Sequence, residues 1–329
     1  MLLFISGRTD IPAFYTPWFM NRIREGFVDV RNPYYGEQVS RYRLDPEVTD
    51  CLVFCTKNPA PILPYISELK DRGFALYFFV TITPYGTDIE PNVPDKSAVM
   101  QSFRELSERT GSRNCCWRYD PVFIDETYSA AFHIRQFRQM AETLHGATDR
   151  CIISFIDLYQ KTVKNFPGVK EVSEQDQRFL AQVFSRIGME SGITIETCAE
   201  KLDLTGCGVA KGICISRSII EQTTGGHVIK KPGVQHLRKH CMCLPAHDIG
   251  SYNSCPHLCK YCYANYNEEL VKKNHAMHDP SSPLLIGHAA ADQHIHDAEQ
   301  KSLLAERRTE PGQLPLFADL MQTGQAERN

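Results

Sequence analysis

Short apolar runs recur along the chain, and each stops at a cluster of polar residues. LLFIS gives way to GRTD, CLVF to CTKNP and ALYFFVTI to TPYG; further on, CCW precedes RYDP, CIISF precedes IDLY and ITIE precedes TCAE. Between these runs lie stretches with helical spacing. PAFYTPWFMNRIREGF brings Phe14, Trp18, Ile23 and Phe27 near one face, and SEQDQRFLAQVFSRIGMESG offers Ser173 and Asp176 at an N-cap and Gly192 at a C-cap. Strand followed by helix, repeated at this spacing, predicts an α/β fold with a parallel sheet and outer helices, and the polar punctuation favours a TIM-type or partial (β/α) barrel.

In such a barrel the C-terminal ends of the strands converge on one mouth, where active sites form. The ends predicted here carry Arg8, Thr9 and Asp10; Lys57 and Asn58; Thr83 and Tyr85; Arg118, Tyr119 and Asp120; Asp157; and Glu196, Cys198 and Glu200. One such residue is as often a cap or a loop ion pair, but six successive polar ends predict a converging polar mouth. Arg8, Lys57 and Arg118 suit a carboxylate or phosphate. Asp10, Asp120 and Glu196 suit ribose hydroxyls or an amino group, Asp157 joins the binding set, and Tyr85 or Tyr119 suits a hydrogen or proton donor. Beyond about residue 267 the pattern fades. Residues 268–329, rich in Ala, Gln, His and Glu with one apolar patch at Pro283–Ile286, predict a partly helical or disordered tail. The histidines at 275, 278, 288, 294 and 296 show no fixed ligand spacing and read as solvated.

Composition narrows the classes. With 42% hydrophobic and 10% aromatic residues the chain has enough apolar surface for a core, and a net charge of −3 with mixed signs demands no polyanionic partner. No run of 18 apolar residues occurs, which excludes a spanning helix, and MLLFISGRTDIPAF reads as a strand rather than a signal peptide. A cytoplasmic location is the expectation. The 13 cysteines, an odd number, then argue against a disulfide framework. Cys51, Cys115, Cys116 and Cys151 fall within strand runs and read as core.

The clustered cysteines point to metal. NSCPHLCKYCYANY places Cys255, Cys259 and Cys262 in a C-x3-C-x2-C spacing with Tyr261 before the last. Thiolates select zinc or iron–sulfur, and zinc sites usually show paired C-x2-C halves with four ligands. Three thiols in one compact loop fit three corners of a cubane, leaving the fourth iron for an outside chelator. Four more, Cys198, Cys214, Cys241 and Cys243, match the count for a second, fully protein-ligated cluster or a zinc ion, with Cys207 as a spare.

C-x3-C-x2-C with an aromatic before the last cysteine is the signature of the radical S-adenosylmethionine superfamily, and CPHLCKYCYAN resembles the cluster loop of enzymes related to spore photoproduct lyase. The longer sequence, including SGRTDIPAF, TKNP, TPYG, WRYDP, ETCAE and DIGSYNSCPHLCKYCYANY, is similar to a bacterial family of unknown function described as radical-SAM-like, over residues 1 to about 267. The resemblance implies a barrel at 1–267, with its cluster loop at 241–266 near the C-terminal end. It implies that Cys255, Cys259 and Cys262 hold a [4Fe–4S] cluster, that S-adenosylmethionine chelates the fourth iron near Tyr261, and that reductive cleavage yields a 5′-deoxyadenosyl radical. An electron donor such as flavodoxin or ferredoxin is then required. Two features depart from the superfamily pattern: the loop follows the last strand rather than the first, and no GGE-like segment is present. The substrate class is a small molecule or peptide; HVIKKPGVQHLRKHC is the most basic stretch, too short for a broad nucleic-acid face. Two other functions compete: a cleavage that transfers the aminocarboxypropyl part of the cofactor, and a non-catalytic, metal-stapled binding protein carrying zinc or iron–sulfur.

Overall fold

The computed structural model describes residues 1–228, 241–290 and 293–305. The chain begins with β1 (Leu2–Ile5), the helices α1 (Ile11–Phe14) and α2 (Thr16–Glu25), and the hairpin β2 (Phe27–Arg31) and β3 (Val39–Arg43). There follow β4 (Cys51–Thr56), α3 (Ile66–Asp71), β5 (Leu76–Thr81), α4 (Lys96–Thr110), β6 (Cys115–Val122), α5 (Ala130–Thr143) and β7 (Arg150–Phe155). The last third holds α6 (Gln160–Asn165), α7 (Glu174–Glu190), β8 (Thr194–Cys198), β9 (Ala210–Gly212), α8 (Arg217–Thr224), β10 (Ala246–Asp248), α9 (Glu268–Ala276) and β11 (Ile295–Asp297).

Every strand predicted from an apolar run forms. They lie in an eight-stranded sheet of order β10-β1-β4-β5-β6-β7-β8-β9, parallel throughout. Closure into a barrel is not seen: among the described residues no pairing joins β9 to β10. Both edge strands have only three residues, and among the described residues flanking them one backbone contact crosses the gap, Leu244 N–H to Ile215 O at 2.9 Å.

The sheet is apolar on both faces, as parallel sheets with crossover helices are. Phe54, Phe78, Trp117, Tyr119 and Ile153 point to the helices, where Phe54 stacks on Phe78 at 4.4 Å and Phe137 of α5 on Phe184 of α7 at 4.1 Å. Their neighbours Val53, Tyr77, Phe79, Cys116 and Ile152 point the other way and pack a second cluster. Cys51, Cys115, Cys116 and Cys151 are buried, as expected of core thiols.

Helix ends follow local chemistry. Ser173 caps α7 by accepting from Asp176 N–H, and Gly192 follows the helix with φ +67°. The stretch expected as one helix up to Phe27 is instead broken at Tyr15 and stopped by Gly26, left-handed at φ +80°, so Phe27 opens β2. Beyond residue 267, α9 forms and β11 joins β3 in a three-stranded sheet with β2. The patch at 283–286 is anchored: Trp18 Nε1 donates to Ser282 O (2.8 Å), Asp29 N–H donates to Pro283 O (3.1 Å), and Leu284, Leu285 and Ile286 are buried. His275 and His278 pack edge-on against Tyr15. The remainder of the predicted tail, residues 306–329, lies outside the described residues. No described helix is long and apolar enough to cross a membrane.

Candidate functional site

A cavity of about 950 Å³ opens where the parallel strands end. All eight strands of the large sheet contribute: Gly7 to Asp10 follow β1, Lys57 follows β4, Thr81 ends β5, Arg118 and Asp120 lie on β6, Asp157 follows β7, Cys198 ends β8, Cys214 follows β9 and Asp248 ends β10. The two-residue period of a strand decides which side chains enter it. On β6, Arg118 and Asp120 share the cavity face with Cys116, while Trp117 and Tyr119 face the helices.

The three-cysteine loop forms one wall, with Cys255, Cys259, Tyr261 and Cys262 all lining the cavity. It is tied down from several sides. Asn92 donates to Pro256 O (2.8 Å), Lys260 N–H to Ile89 O (2.9 Å), Asn165 to Asn265 O (3.1 Å) and Asn274 to Asn253 O (2.9 Å). Asn253 and Leu258 take up positive φ, which curls the loop. Ala264 N–H points at Cys262 Sγ (3.3 Å). Burial raises all three thiols above their ordinary range, opposed by Lys57 at Cys259 and by Ala264 N–H, Asn265 N–H and Lys161 at Cys262. A buried loop with cations and N–H groups aimed at its sulfurs is a suitable host for thiolate ligands. As the side chains stand, no group of three or more His, Cys, Asp or Glu among the described residues has the arrangement for a metal ion. Thiols serving different irons of a cluster need share a space rather than a single point. Cys255, Cys259 and Cys262 meet that condition, each within electrostatic reach of the others.

Two further features bind the loop to the strand ends. Asp10, expected to contact cofactor, is engaged in the fold: Oδ1 accepts from Ala13 N–H (3.0 Å), and Oδ2 accepts from Lys57 N–H (2.7 Å) and faces His257 Nε2 (2.9 Å). Glu90, 1% exposed, takes four donors: Lys57 Nζ (2.8 Å), Thr83 Oγ1 (2.6 Å), Lys96 Nζ and the Tyr261 hydroxyl. Burial would raise its carboxyl, but the two lysines win and hold it at about 2. Burial likewise opposes the charge of Lys57, and Glu90 and Cys259 overcome it, so its ammonium is held above the ordinary value.

Of the other predicted site residues, Arg8 lines the cavity with its guanidinium over the Tyr252 ring at 5.5 Å, and Arg118 pairs with Asp120 while facing the Cys198 and Cys214 thiols. Asp157 also lines it and accepts from the Tyr159 hydroxyl (3.1 Å). Three expected residues lie elsewhere. Tyr85 is buried, donating to Pro121 O (2.7 Å) and stacked on Phe123; Tyr119 is buried against His133 (2.8 Å); Glu196 is gripped by Arg150 through two bonds of 2.8 and 2.7 Å. The polar ends of the strand runs pointed to all three, but Tyr119 alternates to the helix face, Tyr85 lies past the end of β5 among aromatic rings, and Arg150 holds Glu196.

Sequence reasoning overlooked Glu90, His257, Ser6 and Asp248. Asp248 accepts from Ser6 Oγ (2.5 Å), Gly7 N–H (2.8 Å) and Gly250 N–H (2.7 Å), closing the β1–β10 end of the mouth. Gly250 is needed there because a Cβ would clash with the Ser6 side chain. Gly250→Ala should therefore cost about 1–3 kcal/mol in denaturant unfolding, as overpacking does.

The family model described as Domain of unknown function (DUF1848) matches residues 2–264, from the first strand to within the cysteine loop. The chain belongs to this family. No curated protein matches it. Among solved structures, a protein from Bacteroides thetaiotaomicron VPI-5482 described as a "putative alpha-L-fucosidase" is similar at 11% identity, over 53% of this chain and 57% of that one, with a TM-score of 0.30. That likeness is too slight to carry an argument. The basic stretch noted in the sequence falls largely on residues 229–240, outside the described residues.

Proposed function

We propose that the protein is a radical S-adenosylmethionine enzyme whose Cys255, Cys259 and Cys262 hold a [4Fe–4S] cluster in the cavity wall. The observation that carries this reading is the placement of a three-thiol loop, locked from several elements, at the C-terminal mouth of a parallel sheet, facing a cavity large enough for a cofactor and a substrate. A cluster held there by Cys255, Cys259 and Cys262 would supply the reductive cleavage of S-adenosylmethionine to methionine and a 5′-deoxyadenosyl radical. The chain's own residues bind and orient. Arg8 and Arg118 offer cationic partners for a carboxylate or phosphate, and Asp120 and Asp157 offer acceptors for hydroxyl or amino groups. Lys57 keeps a positive charge beside Cys259, stabilising the thiolate. A small molecule or peptide fits as substrate, and an external one-electron donor such as flavodoxin or ferredoxin is required.

The test uses the full chain purified and reconstituted without oxygen, given S-adenosylmethionine and dithionite. 5′-Deoxyadenosine should accumulate, and Cys259→Ala should abolish it together with about four irons per chain. Methylthioadenosine in its place would indicate aminocarboxypropyl transfer. A chain holding zinc in this loop, with the cofactor untouched, would overturn the enzyme reading.

A further inference from the structure

The other four clustered thiols meet at the seam that the sheet leaves open. Cys198 ends β8, Cys214 follows β9 by two residues, and Cys241 and Cys243 lie on the approach to β10. Cys214 Sγ is 2.7 Å from Cys198 Sγ, Cys243 bonds through its thiol to Cys214 and Cys241, and Cys241 feels the charge of Cys198. Four sulfurs from three separate segments thus form one continuous cluster. All four line the cavity, and the Arg118 guanidinium faces Cys198 and Cys214 from β6. Apart from these thiols, the seam's described hydrogen bonding across 213–215 and 241–245 is the Leu244 N–H to Ile215 O contact.

We infer that Cys198, Cys214, Cys241 and Cys243 are a second thiolate metal site, fully ligated by the protein, that clamps the β9 end of the sheet to the β10 end. Four thiolates are the donor set shared by structural zinc and by a [4Fe–4S] cluster. Their present packing explains why they lack metal geometry as they stand: sulfurs around a tetrahedral ion at about 2.3 Å sit about 3.8 Å apart, so Cys198 and Cys214 must separate by roughly 1 Å. The adjoining cavity leaves room for that. Arg118 offsets part of the negative charge that four thiolates bring. The purpose of the clamp follows from topology. Where the backbone of the described residues supplies little pairing between the edge strands, a metal joining both flanks closes the ring around the cavity.

This inference is independent of the radical reading, and its test keeps the two apart. The full chain carrying Cys255→Ala, Cys259→Ala and Cys262→Ala together is purified and reconstituted without oxygen, and its metal and sulfide are counted. It should retain either about one zinc or about four irons with matching sulfide per chain. Zinc would make the site a structural clamp and iron with sulfide a relay, and both uphold it. Adding Cys214→Ser and Cys243→Ser should remove that metal. In the otherwise unaltered chain, loaded with metal, alkylation of these four thiols by iodoacetamide should be slowed at least tenfold and restored by a chelator, a readout that needs no variant to fold. A metal-free triple variant, metal undiminished by the added serines, or equal alkylation with and without metal would overturn the proposal. So would a Cys198–Cys214 disulfide in the anaerobic, reconstituted chain.

Discussion

Glu90→Gln is expected to lower the unfolding free energy by about 3 kcal/mol, because it leaves the largely buried Lys57 ammonium, and in part that of Lys96, facing a neutral amide. Glu90 is 1% exposed and its four donors come from different elements: Lys57 past β4, Thr83 past β5, Lys96 at the start of α4 and Tyr261 in the cysteine loop. Lys96 is partly exposed and can turn toward water, but Lys57 cannot. A second substitution separates this account from a general loss of packing. Lys57→Met in the Glu90→Gln background removes the stranded cation and should recover at least about 1 kcal/mol, the size of a typical coupling between contacting residues. Additive losses would refute the network. The pH dependence has a definite sign. Glu90 titrates at about 2 in the folded chain, against an ordinary value of 4.5. Its stabilisation, on the order of 3 kcal/mol, is therefore complete above about pH 4.5 and disappears as the pH falls toward 2. Denaturant unfolding between pH 6 and pH 3 should show the wild type losing stability across that window and Glu90→Gln losing less.

The fold was largely legible because apolar runs and polar stops report directly on a buried parallel sheet; LLFIS, CLVF and ALYFFVTI became β1, β4 and β5. The β2–β3 hairpin was not, since Phe27 falls at helical spacing from Ile23 and so extends the preceding helical pattern, and VSRYR carries little apolar signal. The short edge strands β9 and β10 carry little apolar signal and owe their pairing to neighbours. At the site, Cys255, Cys259 and Cys262 stood out by spacing and Cys198, Cys214, Cys241 and Cys243 by their count, and all seven line the cavity. Tyr119 illustrates the limit: a polar group at a strand end marks a region, but one residue's shift turns the side chain to the opposite face, while Tyr85, past the end of β5, is drawn into an aromatic cluster with Phe123 and Tyr128. Glu90 and His257 were hidden for another reason. Each is significant only through partners far away in sequence, such as His257 with Asp10, and no local pattern encodes that pairing.

Asp10 leads to the second large effect. Asp10→Ala should cost about 3 kcal/mol, combining a lost N-cap with two buried donors left unpaired. The carboxylate caps α1 through Ala13 N–H, holds the chain after β4 through Lys57 N–H, and meets His257 between the first two cysteines of the loop. His257 Nδ1 faces Asn92 O at 3.1 Å, so the ring is held from both sides, by Asp10 at one nitrogen and by the chain before α4 at the other. Asp10 is thus a positioning residue that fixes the loop without lending a ligand. If Cys255, Cys259 and Cys262 hold a cluster, releasing this anchor should weaken iron retention on the order of tenfold, as loss of an outer-shell partner does at other metal sites. Asp10→Asn divides the two contributions. Its side-chain carbonyl can still cap α1, but the amide cannot accept from both Lys57 N–H and His257, so stability should recover further than iron retention. Equal recovery of both would assign Asp10 to the helix cap alone, and unchanged iron in Asp10→Ala would mean that the loop holds its shape without the strand ends.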